Sequence, residues 1–390
     1  MDIFEEKACL CALNRTFGFE PRIAAALIND LGSAAEVFRL DGKEADLLLG
    51  PYSKYKGKIC RQAVDETARE LEKLAEEGIQ FTGWTLEDYP ALLKECEDPP
   101  VGLYIRSGTP LQELWKPRRR IAVVGTRDIS PYGREWCRRI VLALASCPEQ
   151  PVIVSGLALG TDICAHTTAL ECGLPTVGVM ATGPESVYPY RHQAAADRMA
   201  STDGCALVTD YPPGTSPLPI HFLRRNRIIA GLCEATILIE SKIKGGGMMT
   251  ARLANSYCRD VYALPGRADD VRSAGCNHLI KSKIAEPVIS TEDLLDSLGM
   301  SVVRQKKALP DGERLMQKYG REFPAETVGR MTRLLSAIRK ERGITLEDLA
   351  AVTGLGYART AELAGILESD GEITIDLLQR CHVNFMKKKL

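Results

Sequence analysis

The chain reads as an α/β protein built on a doubly wound, Rossmann-like parallel sheet, with a small helical module before it and a winged helix after it. Three observations predict this. Six short apolar runs between residues 120 and 298 are continuous, as suits strands buried on both faces of a parallel sheet. Helical stretches separate the runs, which is the rhythm of βαβ units. A glycine-rich or charged segment comes after each run, at the carboxyl edge where open α/β sheets bind ligands.

Residues 1–80 carry short helical patterns at 4–13 and 21–31 and a longer charged one at 55–77. FGFEPRIAAALINDLGSAAEVF resembles a helix–hairpin–helix or SAM-like module, and equally a plain helical cap on the next domain. The strands come next, over 81–298: IAVVG (121–125), VIVSG (152–156), TVGVM (176–180), ALVTD (206–210), ATILIE (235–240) and DVYALPG (260–266). Helices are expected at 132–145, 161–172, 191–201, 222–231 and 250–258. A polar linker is read over 299–325. Residues 326–390 form the winged helix: Leu334, Leu335 and Ile338 mark one helix, and Thr345 with Asp348 open a second in capping-box fashion. The turn GLGY leads to a third helix at 357–369, and DGEIT makes the wing. That third helix carries Arg359 but also Glu362 and Glu368, which fits protein contact better than a duplex groove. The tail MKKKL adds nonspecific attraction for phosphate.

Composition narrows the function. The chain has 390 residues, 45% hydrophobic and 26% charged, the balance of a soluble protein with a sizeable core. No apolar run approaches the ~18 residues of a membrane span, and the start MDIFEE is not a signal peptide, so a cytoplasmic location is expected. Thirteen cysteines without a CxxC pair, beside five scattered histidines, read as small buried hydrophobes and not as a zinc site. A net charge of −1 gives no global basic field, so any anion-binding surface is a local patch.

The loops supply that patch. Gly125, Gly156, Gly160, Gly245, Gly246 and Gly247 let backbone amides approach an anion, and the next helices aim their N-termini at the same crevice. Thr126, Ser155 and Thr250 stand beside these glycines, and Arg127 sits at the mouth of the first strand. The stretch HFLRRNRIIAGL places His221, Phe222, Arg224, Arg225, Asn226 and Arg227 at a further strand-to-helix corner. Arginines there can instead pair with Asp210, Glu234 or Glu240 and fix loops; Arg225 and Asn226 carry both readings. Lys242 and Lys244 flank the glycine run as solvated charges within reach of a phosphate. The dinucleotide fingerprint, the Walker pattern and the nucleophile elbow are all absent. His166 has no Ser or Cys partner at motif spacing and reads as structural or ligand-orienting. No cofactor or metal is expected.

In this order, GTR, SPYG, SGLALGTDICAH, YP (188–189), DYPPGT, HFLRRNRIIAGL, GGGMMTARLA, PG and GCN resemble the DprA/Smf family of bacterial DNA-processing proteins. DYPALLKECEDPPVGLYIRSG (88–108) is similar to that family's lead-in. The resemblance implies a noncatalytic protein that binds and protects single-stranded DNA, loads the recombinase RecA during natural transformation, and dimerises through its Rossmann-like domain. It places the family's arginine motif on Gly125, Thr126 and Arg127, and the HFxxRNR motif on His221, Phe222, Arg225, Asn226 and Arg227. Thr126 stands where a serine is common, and Pro219 where some members carry a basic residue, which shifts weight to Arg224, Lys242 or Lys244. Phe222 or Tyr188 offers a face on which bases can stack. The competing class is an enzyme of the nucleoside-monophosphate phosphoribohydrolase type, since Glu240 precedes a glycine run; a nucleotide-sensing transcription regulator is a third.

Overall fold

The computed structural model describes residues 3–300, 310–341 and 343–383. Its contacts fall into two compact units, 1–303 and 304–390. The first unit is α/β, with a nine-stranded sheet in the order β1-β2-β6-β5-β4-β3-β7-β8-β9. The strands are β1 (Ile79–Gly83), β2 (Gly102–Arg106), β3 (Arg120–Val124), β4 (Val152–Ser155), β5 (Thr176–Val179), β6 (Ala206–Thr209), β7 (Ala235–Leu238), β8 (Asp260–Ala263) and β9 (Glu286–Pro287). All six expected runs are strands, and β3 to β9 pair in parallel.

Continuous apolar runs are used on both faces. Ile121 and Val123 of β3 pack under the helices Pro131–Ala145 and Thr161–Cys172. Ala122 and Val124 face the opposite core, under Pro219–Gly231 and Gly246–Ser256. That alternation is what a strand buried on two sides requires.

The sheet is not wholly parallel, which corrects the expectation. β1 and β2 form an antiparallel pair, and β2 adds antiparallel to β6, with Tyr104 opposite Thr209. Phe81 and Tyr104 complete the core of the N-terminal helices, packing with Leu10, Leu13, Phe17, Leu27 and Leu71. The helices Ile3–Phe17, Pro21–Leu31 and Arg61–Glu76 therefore share a core with two strands of the large sheet. β1 spans the boundary drawn at residue 80 in the sequence. No helix among the described residues is long and apolar enough to cross a membrane.

The second unit has its own core of Leu315, Met331, Leu335, Leu349, Leu363, Ile373 and Cys381. Helices Ala325–Lys340, Leu346–Thr353 and Tyr357–Ser369 pack with strands β10 (Ile344–Thr345), β11 (Ile373–Ile375) and β12 (Arg380–Val383). Thr345 caps its helix by accepting from Asp348 N at 3.1 Å. Part of the stretch read as linker is the helix Asp311–Tyr319, whose buried Leu315 and Tyr319 lie four residues apart on one face. Residues 301–309 of that linker, and the basic tail 386–390, lie outside the described residues.

Candidate nucleic-acid interface

The strand order reverses at β3, which has β4 on one side and β7 on the other. A crevice opens at such a switch point, outside the carboxyl ends of the strands. The loops leaving β3 and β7 meet there because two glycines allow it. A Cβ on Gly247 would lie 3.1 Å from Gly125 Cα, and one on Gly125 would lie 2.5 Å from Thr161 Oγ1. Gly160 has φ +77°, and a Cβ there would strike Thr126 O at 2.3 Å. Thr161 N donates to Thr126 O at 3.1 Å, seating the 125–127 loop on the start of the helix Thr161–Cys172. The helix Gly246–Ser256 begins after Gly245 with no side-chain cap, and its first residues Gly246 and Gly247 line the crevice.

The crevice is a cleft of about 690 Å³. Arg127 is exposed at its edge, its guanidinium 5.2 Å from the Phe222 ring centre. The Phe222 ring stands edge-on to Tyr188, with centroids 5.4 Å apart. Among the described residues no carboxylate pairs with Arg127, because neighbouring Asp128 is held by Arg272 at 2.9 Å. Lys242 and Lys244 also line the cleft, exposed and without an ion pair among the described residues. Three cations and two aromatic faces thus border one opening.

The four polar residues 224–227 have four different fates. Arg224 turns away from the cleft, donates to Gly18 O, and lies over the Phe19 ring at 4.1 Å. Arg225 is buried in the cleft floor and donates from Nη1 to Val179 O at 3.0 Å. It lies across Gly156, where a Cβ would come within 1.7 Å of Nη1, so a side chain at this position would displace the guanidinium. Burial lowers the Arg225 pKa to about 10. Asn226 lines the cleft and donates to Gly246 O at 3.5 Å. Arg227 is sealed inside, donating to Asp210 Oδ2 at 2.7 Å and to Asp98 O.

Gly125, Thr126, Arg127, Phe222, Arg225, Asn226, Gly246, Gly247 and Thr250 therefore meet in one cleft. Ser155, Gly156, Gly160, His221, Arg224 and Arg227 stand behind or beside its walls. Ser155 Oγ donates to Val123 O at 2.7 Å, and His221 packs on Tyr211 with ring centres 4.4 Å apart. The cleft also holds residues that the sequence pattern does not single out, above all Asp162. Its place in GLALGTD, seven residues past the end of β4 and in the first turn of the next helix, is the available signal. Its negative charge runs against an anion site.

Two residues with catalytic chemistry are engaged elsewhere. Glu240 is buried and accepts from Ser130 N at 2.9 Å and from Ser130 Oγ, at the N-terminus of the helix Pro131–Ala145. His166 is fully enclosed, with Nδ1 2.8 Å from Thr176 Oγ1; burial, then Arg225, pushes its pKa down to about 3. Among the described residues no cluster of His, Cys, Asp or Glu could hold a metal ion.

Known proteins fit this frame. The profile of the family described as DNA recombination-mediator protein A matches residues 80–299. Protein Smf of Synechocystis is 31% identical over 318 residues, which cover 76% of this chain and 78% of that protein. The DNA processing protein DprA of Bacillus subtilis is 35% identical over 59% of this chain and 75% of its own. The X-ray structure of DprA from Streptococcus pneumoniae superposes with a TM-score of 0.62 at 30% identity, covering 76% of this chain and 98% of that one.

Proposed function

This chain belongs to the DNA recombination-mediator protein A (DprA/Smf) family, and from that premise we propose that its cleft holds a single strand of DNA without turning it over. One observation carries the reading. Arg127 is a cation without a carboxylate partner among the described residues, laid on an aromatic ring at the rim of a cleft into which an uncapped helix points. Backbone phosphates meet Arg127, Lys242, Lys244 and the amides of Gly246 and Gly247, while bases stack on Phe222 and Tyr188. Each stacked base is worth about 1–3 kcal/mol by truncation. A paired base has no free face to offer, so duplex is excluded.

The family resemblance extends this reading to protection of incoming DNA in natural transformation, delivery of the strand to RecA, and a homodimer through the first unit. In the same reading residues 1–80 act as an accessory module and the second unit is a winged helix, in a protein of the cytoplasm. The enzymatic alternative is weaker, because the glutamate it needs is bound to Ser130 instead of lining the cleft.

Filter binding of single-stranded and duplex oligonucleotides of equal length tests the proposal. Tight single-strand binding that weakens with salt, at a log–log slope of about −0.7 per phosphate contact, is expected. Equal affinity for the two forms overturns it, as does release of free base from a nucleoside monophosphate.

A further inference from the structure

The cleft floor contains two buried charges of opposite sign that do not neutralise each other. Asp162 is 7% exposed and Arg225 is 3% exposed, and both line the cleft. They attract one another through space, yet no ion pair within 4.0 Å joins them. Asp162 Oδ2 accepts from Ala158 N at 3.4 Å, and no well-formed hydrogen bond reaches Oδ1 among the described residues. Burial raises the Asp162 pKa, while Arg225, the Ala158 amide, the Ser155 hydroxyl and the Gly156 amide pull it back. Arg225 spends Nη1 on Val179 O, while its Nη2 has no acceptor among the described residues. Arg225 Nε is sealed off from solvent, whereas Asp162 Oδ1 and Arg225 Nη2 reach the open space. Desolvating a charge is costly unless something compensates it. Here the floor presents an acceptor beside a donor, each with capacity left for a ligand.

We propose that this floor reads the Watson–Crick edge of one unpaired base and prefers guanine. Asp162 takes the adjacent N1–H and N2–H donors, and Arg225 Nη2 donates to O6. Guanine is the base whose edge carries two neighbouring donors next to an acceptor. Cytosine and adenine each offer their exocyclic amine alone to a carboxylate. Thymine sets one donor between two carbonyl oxygens, which the carboxylate repels. The edge is free only when the base is unpaired, so the same contact that selects the base also rejects duplex. Gly156 makes the arrangement possible by leaving room for the guanidinium. The inference rests on the single-strand reading and assigns its base selectivity.

The test uses the full chain and strands of roughly 20 thymidines, long enough to span a typical single-strand site. One central position is thymidine, deoxyguanosine or deoxyinosine, which lacks the N2 amine. Competition at fixed salt should rank guanosine over inosine over thymidine, with guanosine ahead by about 5- to 150-fold, the discrimination of a good bidentate base contact. In Asp162→Asn, whose folding is checked by its melting curve, the guanosine-to-thymidine ratio should collapse towards unity. Equal binding of all three strands by the wild type, or an undiminished ratio in Asp162→Asn, overturns the proposal. Failure to bind any strand overturns the single-strand reading with it.

Discussion

The cleft of the first unit and the outward face of the second unit's helix Tyr357–Ser369 both carry arginine, and they use it in opposite ways. In the second unit three arginines are committed. Arg359 pairs with Glu362 at 2.7 Å, Arg314 with Glu372 at 2.7 Å, and Arg339 with Asp311 at 2.6 Å. Glu362 and Glu368 are exposed on the same helix as Arg359. At the cleft, Arg127, Lys242 and Lys244 have no such partners among the described residues, and Asp128, next to Arg127 in the chain, is taken by Arg272. A count of cations would not separate the two surfaces. What separates them is whether the protein's own carboxylates already occupy the charge.

The sharpest way to break this comparison is to treat a committed cation as though it were free. Arg227→Leu should destabilise the first unit by about 3–5 kcal/mol, since Asp210 is left charged and buried. Urea denaturation reads the loss, and adding Asp210→Asn should recover much of it. Recovery of neither stability nor fold in the double variant would mean that the pair does more than balance charge.

The histidines extend the contrast. His166 is enclosed in the first unit, while His382 in the second is part-exposed, 3.9 Å from Asp376. The folded pKa of His166 lies at about 3 and its ordinary value is 6.5, so the unfolded chain binds a proton that the folded one refuses. Its contribution is complete above pH 6.5 and is lost as pH falls towards 3, over several kcal/mol at about 1.4 kcal/mol per pH unit. Against wild type, His166→Asn should flatten stability over that window. An unchanged pH slope would show that the ring is not held neutral.

Arg127→Ala comes next, at about 1.5–3 kcal/mol of single-strand affinity, the usual worth of a hydrogen bond to a charged group. The salt slope should shallow by about 0.7 as one phosphate contact goes. Wild-type affinity and slope in this variant would count decisively against the cleft as the binding surface. Smallest of all, Arg359→Ala should change that affinity by less than about 0.5 kcal/mol, because an exposed arginine already paired has little to give. A loss equal to that of Arg127→Ala would erase the distinction between the two surfaces.

Much of the first unit is readable from the sequence because its parallel strands need no partner information. IAVVG or ATILIE must be buried on both faces wherever it pairs. β1 and β2 are not readable in this way. Phe81 and Tyr104 are buried by helices that lie up to a hundred residues earlier in the chain, and nothing local to QFTG announces that cover. The sequence pattern starts the helix after the glycine run at 250, whereas it begins at Gly246, because glycine is a poor helix former. Within the site, the sequence marks the arginine stretch but cannot divide it. Arg225 and Arg227 are two positions apart, yet one faces the cleft and the other meets Asp210 and Asp98, brought in by separate loops. Asp162 escapes because its chemistry makes sense only once Arg225 stands opposite.

The contact between Gly125 and Gly247 has a consequence for kinetics. Two backbones in touch cannot draw closer, so the loops after β3 and β7 are held together by main chain and not by adjustable side chains. An incoming strand would find the slot already cut to size and spend little on reshaping it. Differences among strands should then lie mainly in how long each one stays.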